Sequence, residues 1–540
     1  QPPVDDPKPA VRLQVKDAVQ LQFRIRVGEG LQLKQVPNRA VVPGQLGVPA
    51  GAELKDAQPV RSSTPTRTSK PPQPKAAVQP KERPDKLKFL NGDDLSGRFK
   101  GITGGQVVWQ NPAFAEPVRV KLEALEQIQA GTLTSEALVA SCLERIAERE
   151  DTVGAWHFLS AEQALDAARA SDKDPSDGPL RGIPVAVKDI FDTVDMPTAY
   201  GSPIYEGHRP ASDASCVAST RAAGGLVLGK TVTTEFALFT PGKTANPHDP
   251  AHTPGGSSSG SAAAVADFMA PLAFGSQTVG SVIRPASFCG VVGYKPSYGL
   301  IDRNGVRPLA DTFDTVGVFA RSVSDVAFFV SVLGRRPNLR LDGELETPPS
   351  IGLCRTHEWP AANEDTEAAL ETAARLTSDA GGRIREVTLP EPFEPLAEAQ
   401  ALVVDFEAAN SAAYELAFRR DEVSKSFVAR AEAGLAYTAE QYDDALSVIE
   451  TARTHLDAAM DGLDVLLCPS APGQAPEGLG ATGDPIFSRL GTALRVPCVS
   501  IPGLSGSSGL PVGVQLMGRM KDDRRTLAVG NWLHGILRRV

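Results

Sequence analysis

The chain has 540 residues, 41% of them hydrophobic and 22% charged, with a net charge of −10. That length exceeds an ordinary single domain and leaves room for a large buried core. The acidic balance argues against a general nucleic-acid binder, and no apolar run reaches the ~18–20 residues needed to cross a bilayer.

The elements, taken from the start, change character near residue 120. VRLQVKDAVQLQFRIRV (11–27) alternates apolar and polar residues as a half-exposed strand does. Residues 59–86 are rich in proline, lysine, serine and threonine and read as a linker. LKFLNGDDLSGRFKGITGGQVVWQNP (87–112) reads as short strands around NG and GG turns. The expected divisions are a β-rich segment (1–58), the linker (59–86), a small β-module (87–119) and a main domain (120–540). Within the main domain, two helices flank the capping signal TLTSE, where Thr134 or Ser135 caps the second. GIPVAVKDIF (182–191) is a short apolar strand, ASDASCVASTRAAG (211–224) a helix, and GLVLGKT (225–231) a further strand. SIGLCRT, EDTEAALETAARLTSDAGG and RIREVTL, within residues 350–389, make a strand–helix–strand unit. Helices alternating with apolar strands predict an α/β protein built on a covered sheet.

Several motifs compete for the chemistry. GGLVLGKT (224–231) satisfies the spacing of a phosphate loop, but its four central residues look like a strand, and no helical turn follows the Lys-Thr pair. His248 and His252 have the spacing of a metal pair, yet Pro247, Pro250 and Pro254 forbid the helix that would present them, so no metal site is expected. The cysteines (Cys142, Cys216, Cys289, Cys354, Cys468, Cys498) include no C-x-x-C pair and read as buried free thiols. Two clusters of small residues remain, GGSSSGS (255–261) and QTVGSVIRPA (277–286). Cleaving an unactivated C–N bond needs a nucleophile, a base and donors for the oxyanion. No histidine lies in or beside either cluster, but a lysine held neutral by burial can act as the base. Lys188 closes the apolar run IPVAV, which would draw it inward, although a salt-bridged or snorkelling lysine is the commoner outcome of that pattern.

GGSSSGSAAAVA (255–266), TVGSVIRPASFCGVVGYKPSYG (278–299) and the upstream GIPVAVKD together resemble the amidase signature family of serine hydrolases. LGKTVTTEFA (228–237), DTVGVFARSV (314–323) and VPCVSIPG…GLPVGVQLMG (496–518) extend the likeness over roughly residues 122–540. The resemblance implies a large mixed twisted sheet covered by helices on both faces, with the N-terminal β-rich part as a separate appendage, and chemistry without a cofactor. It puts the family's Ser–cisSer–Lys triad on Ser281 as nucleophile, Ser257 as proton relay after a cis bond from Gly256, and Lys188 as ultimate base. The oxyanion hole falls on the backbone N–H groups of Thr278, Val279, Gly280 and Ser281, with Ser258, Gly256 and Arg284 in support. The family usually reads DTGGSIRxPA, so this chain departs at Gln277, at Val279, and at Arg284, which stands three rather than two residues after the serine.

The implied activity is hydrolysis of a linear amide, with anilides, carbamates and esters as related substrates, by a monomer or homodimer that needs no nucleic acid. The alternatives are the catalytic subunit of a glutamyl-tRNA amidotransferase, which works with a partner, or a degenerate member without catalysis. The changed nucleophile loop and the N-terminal modules weigh against the first, and the intact Lys188, Ser257 and Ser281 against the second. Leu402, Phe406, Tyr414 and Phe418, in the stretch expected to choose the substrate, are read as core packing on one helical face, and TGDPIF (482–487) as a lid or pocket loop. The chain opens at Gln1 without a charged-then-apolar leader, so a soluble, cytoplasmic protein is the expectation, with periplasm or secretion left open.

Overall fold

The computed structural model describes residues 133–538 except 175–177, 239, 342 and 344, together with the backbone of five strands nearer the N-terminus. Residues 1–118 and 119–540 form two units. In the first, β1 (Leu21–Val27), β2 (Gly30–Lys34), β3 (Asp85–Phe89), β4 (Asp94–Thr103) and β5 (Gln106–Gln110) make one sheet in the order β2-β1-β3-β4-β5. Its pairs are antiparallel, and β1 joins β3 across the proline-rich stretch. Residues 11–20 and the helix expected before Thr134 lie outside the described residues.

The second unit is built on eleven strands. They are β6 (Trp156–Leu159), β7 (Pro184–Lys188), β8 (Leu226–Thr231), β9 (Leu272–Gln277), β10 (Val292–Lys295), β11 (Thr315–Ala320), β12 (Ser350–Cys354), β13 (Arg383–Val387), β14 (Val465–Pro469), β15 (Cys498–Ser505) and β16 (Pro511–Met517). Their order is β13-β12-β14-β16-β15-β10-β11-β9-β7-β8-β6. The sheet is mixed: β12 runs parallel to β13 and β14, and β7 to β8 and β9, while the remaining pairs are antiparallel. Every residue of β7, β9, β10, β11 and β14 is buried. Successive side chains point to opposite faces of a strand, so such strands need cover on both sides. The core divides accordingly. Val185 and Val187 join one apolar cluster and Ala186 another; Val465 and Leu467 join the first, while Leu466 and Cys468 pack into a third.

Helices supply the cover. The helix Ser135–Val153 starts at Thr134, whose hydroxyl accepts from Ala137 N, and ends at Gly154 in the left-handed conformation. The expected helix and strand over 211–231 appear as Ser215–Ala222 and β8, and the expected strand–helix–strand unit as β12, the helix Glu364–Asp379 and β13. The four residues read as one apolar face do not share one helix. A break at Ala412 separates Leu396–Ser411 from Ala413–Phe418. Leu402 and Phe406 are half-buried, Phe406 stacking on Tyr442, whereas Tyr414 and Phe418 are exposed and meet only at the surface. No described helix is long and apolar enough to cross a membrane.

Candidate active site

Lys188 ends β7, the third strand from the β6 edge of the sheet, and is fully buried. Its Nζ lies 2.7 Å from Ser257 Oγ and 2.8 Å from Ser276 Oγ. No carboxylate comes within ion-pair distance of it among the described residues. Burial therefore holds Lys188 well below the usual lysine range, opposed by the charge of Asp314. The neighbouring Asp189 is spent on a different lysine. Lys230, the lysine of the phosphate-loop look-alike, pairs with Asp189 Oδ1 at 3.0 Å and donates to Phe191 O at 2.9 Å. GGLVLGKT is thus strand β8 with its lysine packed into the core, and the salt-bridged reading belongs to Lys230 rather than Lys188.

The segment bearing Ser257 turns sharply. Gly255 has φ +80°, and the peptide bond Gly256–Ser257 is cis. A Cβ on Gly256 would lie 2.7 Å from Thr482 Cγ2, so only glycine fits there. Arg284, also buried, donates from Nη2 to Gly256 O at 2.7 Å and to Thr482 Oγ1 at 3.0 Å. Burial pushes its guanidinium down to about 10. Ser258 Oγ sits 3.3 Å from both N and O of Ser276, tying this turn to β9, and Ser259 opens the helix Ser259–Ala266.

Ser281 stands on the turn between β9 and the helix Ile283–Cys289, half-buried. Its hydroxyl makes no hydrogen bond among the described residues, so Lys188 and Ser257 are joined directly and Ser281 is not yet engaged. Gln277 holds this turn: its Oε1 accepts from Val282 N at 2.8 Å and Ile283 N at 3.0 Å, giving a neutral cap where the family pattern has an aspartate. Thr278 Oγ1 donates to Asp314 Oδ1 at 2.5 Å, and Leu309 N and Ala310 N donate to its Oδ2. Burial pushes the Asp314 carboxyl up to about 6 despite those donors. A small cavity of about 10 Å³, lined by Ser276, Thr278, Asp314, Arg303 and Arg307 among others, lies beside this group.

The segment read as a lid meets the loop from the other side. A Cβ on Gly280 would lie 2.8 Å from Pro485 Cβ and 3.0 Å from Ser488 Cβ. Sequence reasoning missed Ser276, Asp314, Gln400 and Thr492. Two of these had a usable signal: Ser276 lies two residues before Thr278 on a strand leading into the nucleophile loop, and Asp314 opens the motif DTVGVFARSV. His248 Nε2 bonds Cys289 O and His252 faces Asp249, and no group of metal-binding side chains occurs among the described residues. The six cysteines are buried and unbridged.

Comparison with known proteins identifies the family. The family model Amidase matches residues 137–527. A glutamyl-tRNA(Gln) amidotransferase subunit from Rhodopirellula baltica is 33% identical over 471 residues, covering 76% of this chain and 94% of that protein. Among solved structures, an amidase aligns with a TM-score of 0.70 at 31% identity over 77% of this chain and 99% of its own. The peptide amidase of Stenotrophomonas maltophilia aligns with a TM-score of 0.66 at 29% identity, covering 79% and 98%. With that family model matched from the first core helix to the last, and solved amidases aligning over more than three quarters of its length, the chain belongs to the Amidase family.

Proposed function

We propose that this amidase cleaves linear amides, and related anilides, carbamates or esters, through an acyl-enzyme on Ser281. The observation that carries the reading is Lys188: a fully buried amine, bonded to two hydroxyls and to no carboxylate. A neutral amine can accept one hydroxyl proton and donate to another oxygen. Lys188 accepts from Ser257 while donating to Ser276. Ser257 in turn takes the proton of Ser281 as Ser281 attacks the carbonyl carbon, so a C–O bond forms and the carbonyl electrons move to oxygen. On collapse, the same relay returns the proton to the leaving nitrogen. Water then repeats the sequence to release the acid. The oxyanion is received by backbone N–H groups of the turn 278–281.

Intact-mass measurement after treatment with a small fluorophosphonate tests this, on wild type and Ser281→Ala, followed by a panel of amides, anilides and carbamates. One adduct on wild type and none on the variant is expected. No adduct on folded wild type overturns the reading in favour of a degenerate member.

A second reading, the catalytic subunit of a glutamyl-tRNA amidotransferase, is supported by the names of the curated relatives, one of which matches over 94% of its length. Purification of the tagged chain from its own cells separates the two. A stoichiometric partner together with glutamine-dependent ammonia release favours the amidotransferase.

A further inference from the structure

We propose that Gln400 and Thr492 are positioning residues that aim the amides of Val279, Gly280 and Ser281 at the substrate oxygen, by holding the carbonyl on the far side of each peptide plane. The inference rests on the reading of Ser281 as nucleophile. Thr278 O accepts from Gln400 Nε2 at 2.9 Å, Val279 O from Thr492 Oγ1 at 2.8 Å, and Gly280 O from Arg284 N at 3.0 Å. In a planar trans peptide, the carbonyl and the following N–H point in opposite directions. Three consecutive N–H groups are therefore turned away from the three pinned carbonyls, and none makes a hydrogen bond among the described residues. Unspent backbone donors side by side next to a serine are what a developing oxyanion needs.

The polarity of the clamp is determined by its outer contacts. Arg489 Nη1 donates to Gln400 Oε1 at 2.7 Å, which leaves the amide nitrogen as the end on Thr278 O. Gln277 has spent its oxygen on Val282 N and Ile283 N, so its nitrogen donates to Thr492 Oγ1 at 2.9 Å. The single Thr492 proton is then free for a carbonyl, and Val279 O at 2.8 Å is nearer than its own helix's Ser488 O at 3.1 Å. Gln400 is fully buried, so it acts through the loop.

The test uses the full chain with Gln400→Glu, Thr492→Val and Thr492→Ser. Glutamate keeps the size and the Arg489 contact but cannot donate to Thr278 O; valine removes the hydroxyl that serine restores. The readouts are kcat and KM on the best substrate of the panel, the fluorophosphonate labelling rate, and the thermal midpoint. Gln400→Glu and Thr492→Val should each lower kcat and labelling by about 10- to 100-fold, with KM little changed and Thr492→Ser near wild type. Wild-type rates in both variants, with Ser281→Ala unlabelled, would overturn the clamp alone. So would equal losses in Thr492→Ser and Thr492→Val. Labelling of Ser281→Ala, or none of wild type, overturns the reading of Ser281 beneath it.

Discussion

Lys188 shows how one side chain's partners decide its chemistry. Three lysines are buried on this sheet. Lys230 faces Asp189, and Lys295 donates to the carbonyls of Val496 and Pro296. Lys188 meets hydroxyls only, so desolvation wins over distant charge, and its neutral form dominates from a pH below the lysine range upward. Activity should then fall as pH drops through the depressed Lys188 value, because the protonated amine cannot accept from Ser257. Asp314 raises that value, so removing its charge lowers it. The acid limb of kcat/KM in Asp314→Asn should move to lower pH, and a limb moving upward would contradict the account. Lys188→Met should lower kcat by at least about 10²-fold at every pH, since a base contributes ~10²–10⁴-fold. The sequence made Lys188 a candidate through its apolar run, and the resemblance made it a base. Its freedom from Asp189 was not legible, because the aspartate beside it in sequence turns toward a lysine on the neighbouring strand.

At the scale of elements, helices bring distant residues onto the nucleophile loop. Leu396–Ser411 delivers Gln400, and Ile486–Ala493 delivers Ser488 and Thr492. The first of these is held close to Lys425–Leu435 by Gly434, where a Cβ would lie 2.0 Å from Asp405 O, and by Arg430 paired with Asp405 at 2.5 Å. Gly434→Ala must push the two helices apart, at a cost of ~1–3 kcal/mol from overpacking. Both the thermal midpoint and kcat should fall, because Gln400 moves with its helix. Gly535→Ala is the contrasting change. It lies exposed in the helix Asp523–Leu537 with nothing near its missing Cβ. Here alanine should stabilise by ~0.5–1 kcal/mol and raise the midpoint without touching kcat. Of the two helices that reach the loop, helical spacing marks only the one around Leu402 and Phe406; Ile486 and Phe487 fall in the segment expected as a loop (482–487), so neither the helix Ile486–Ala493 nor the face of it that meets Gly280 was legible. The run Leu402–Phe418 shows the opposite failure: its apolar spacing looked continuous, while the chain breaks at Ala412 and leaves Tyr414 and Phe418 in solvent.

For the whole molecule, the family match from residue 137 to 527 lies within the second unit, and every contact described at the site is made inside it. A chain starting at Arg119 should therefore fold cooperatively and keep the fluorophosphonate labelling rate of the full protein. Loss of both in that shorter chain, by thermal melting and intact mass, would show that residues 1–118 complete the core. What the sequence by itself determined is local: buried strands of unbroken apolar residues, capped helices, glycines at a turn too tight for a side chain, and clusters of small residues whose order and spacing point to the family. Those are properties of neighbouring residues, and neighbours are what a sequence displays. Only the tertiary structure decided which carboxylate reaches which buried lysine, and which side chains pin the carbonyls of Thr278 and Val279. Gln400 and Thr492 lie 122 and 213 residues from the carbonyls they hold. Hydrogen bonds act over about 3 Å, so such partners exist only once the sheet and its helices have packed.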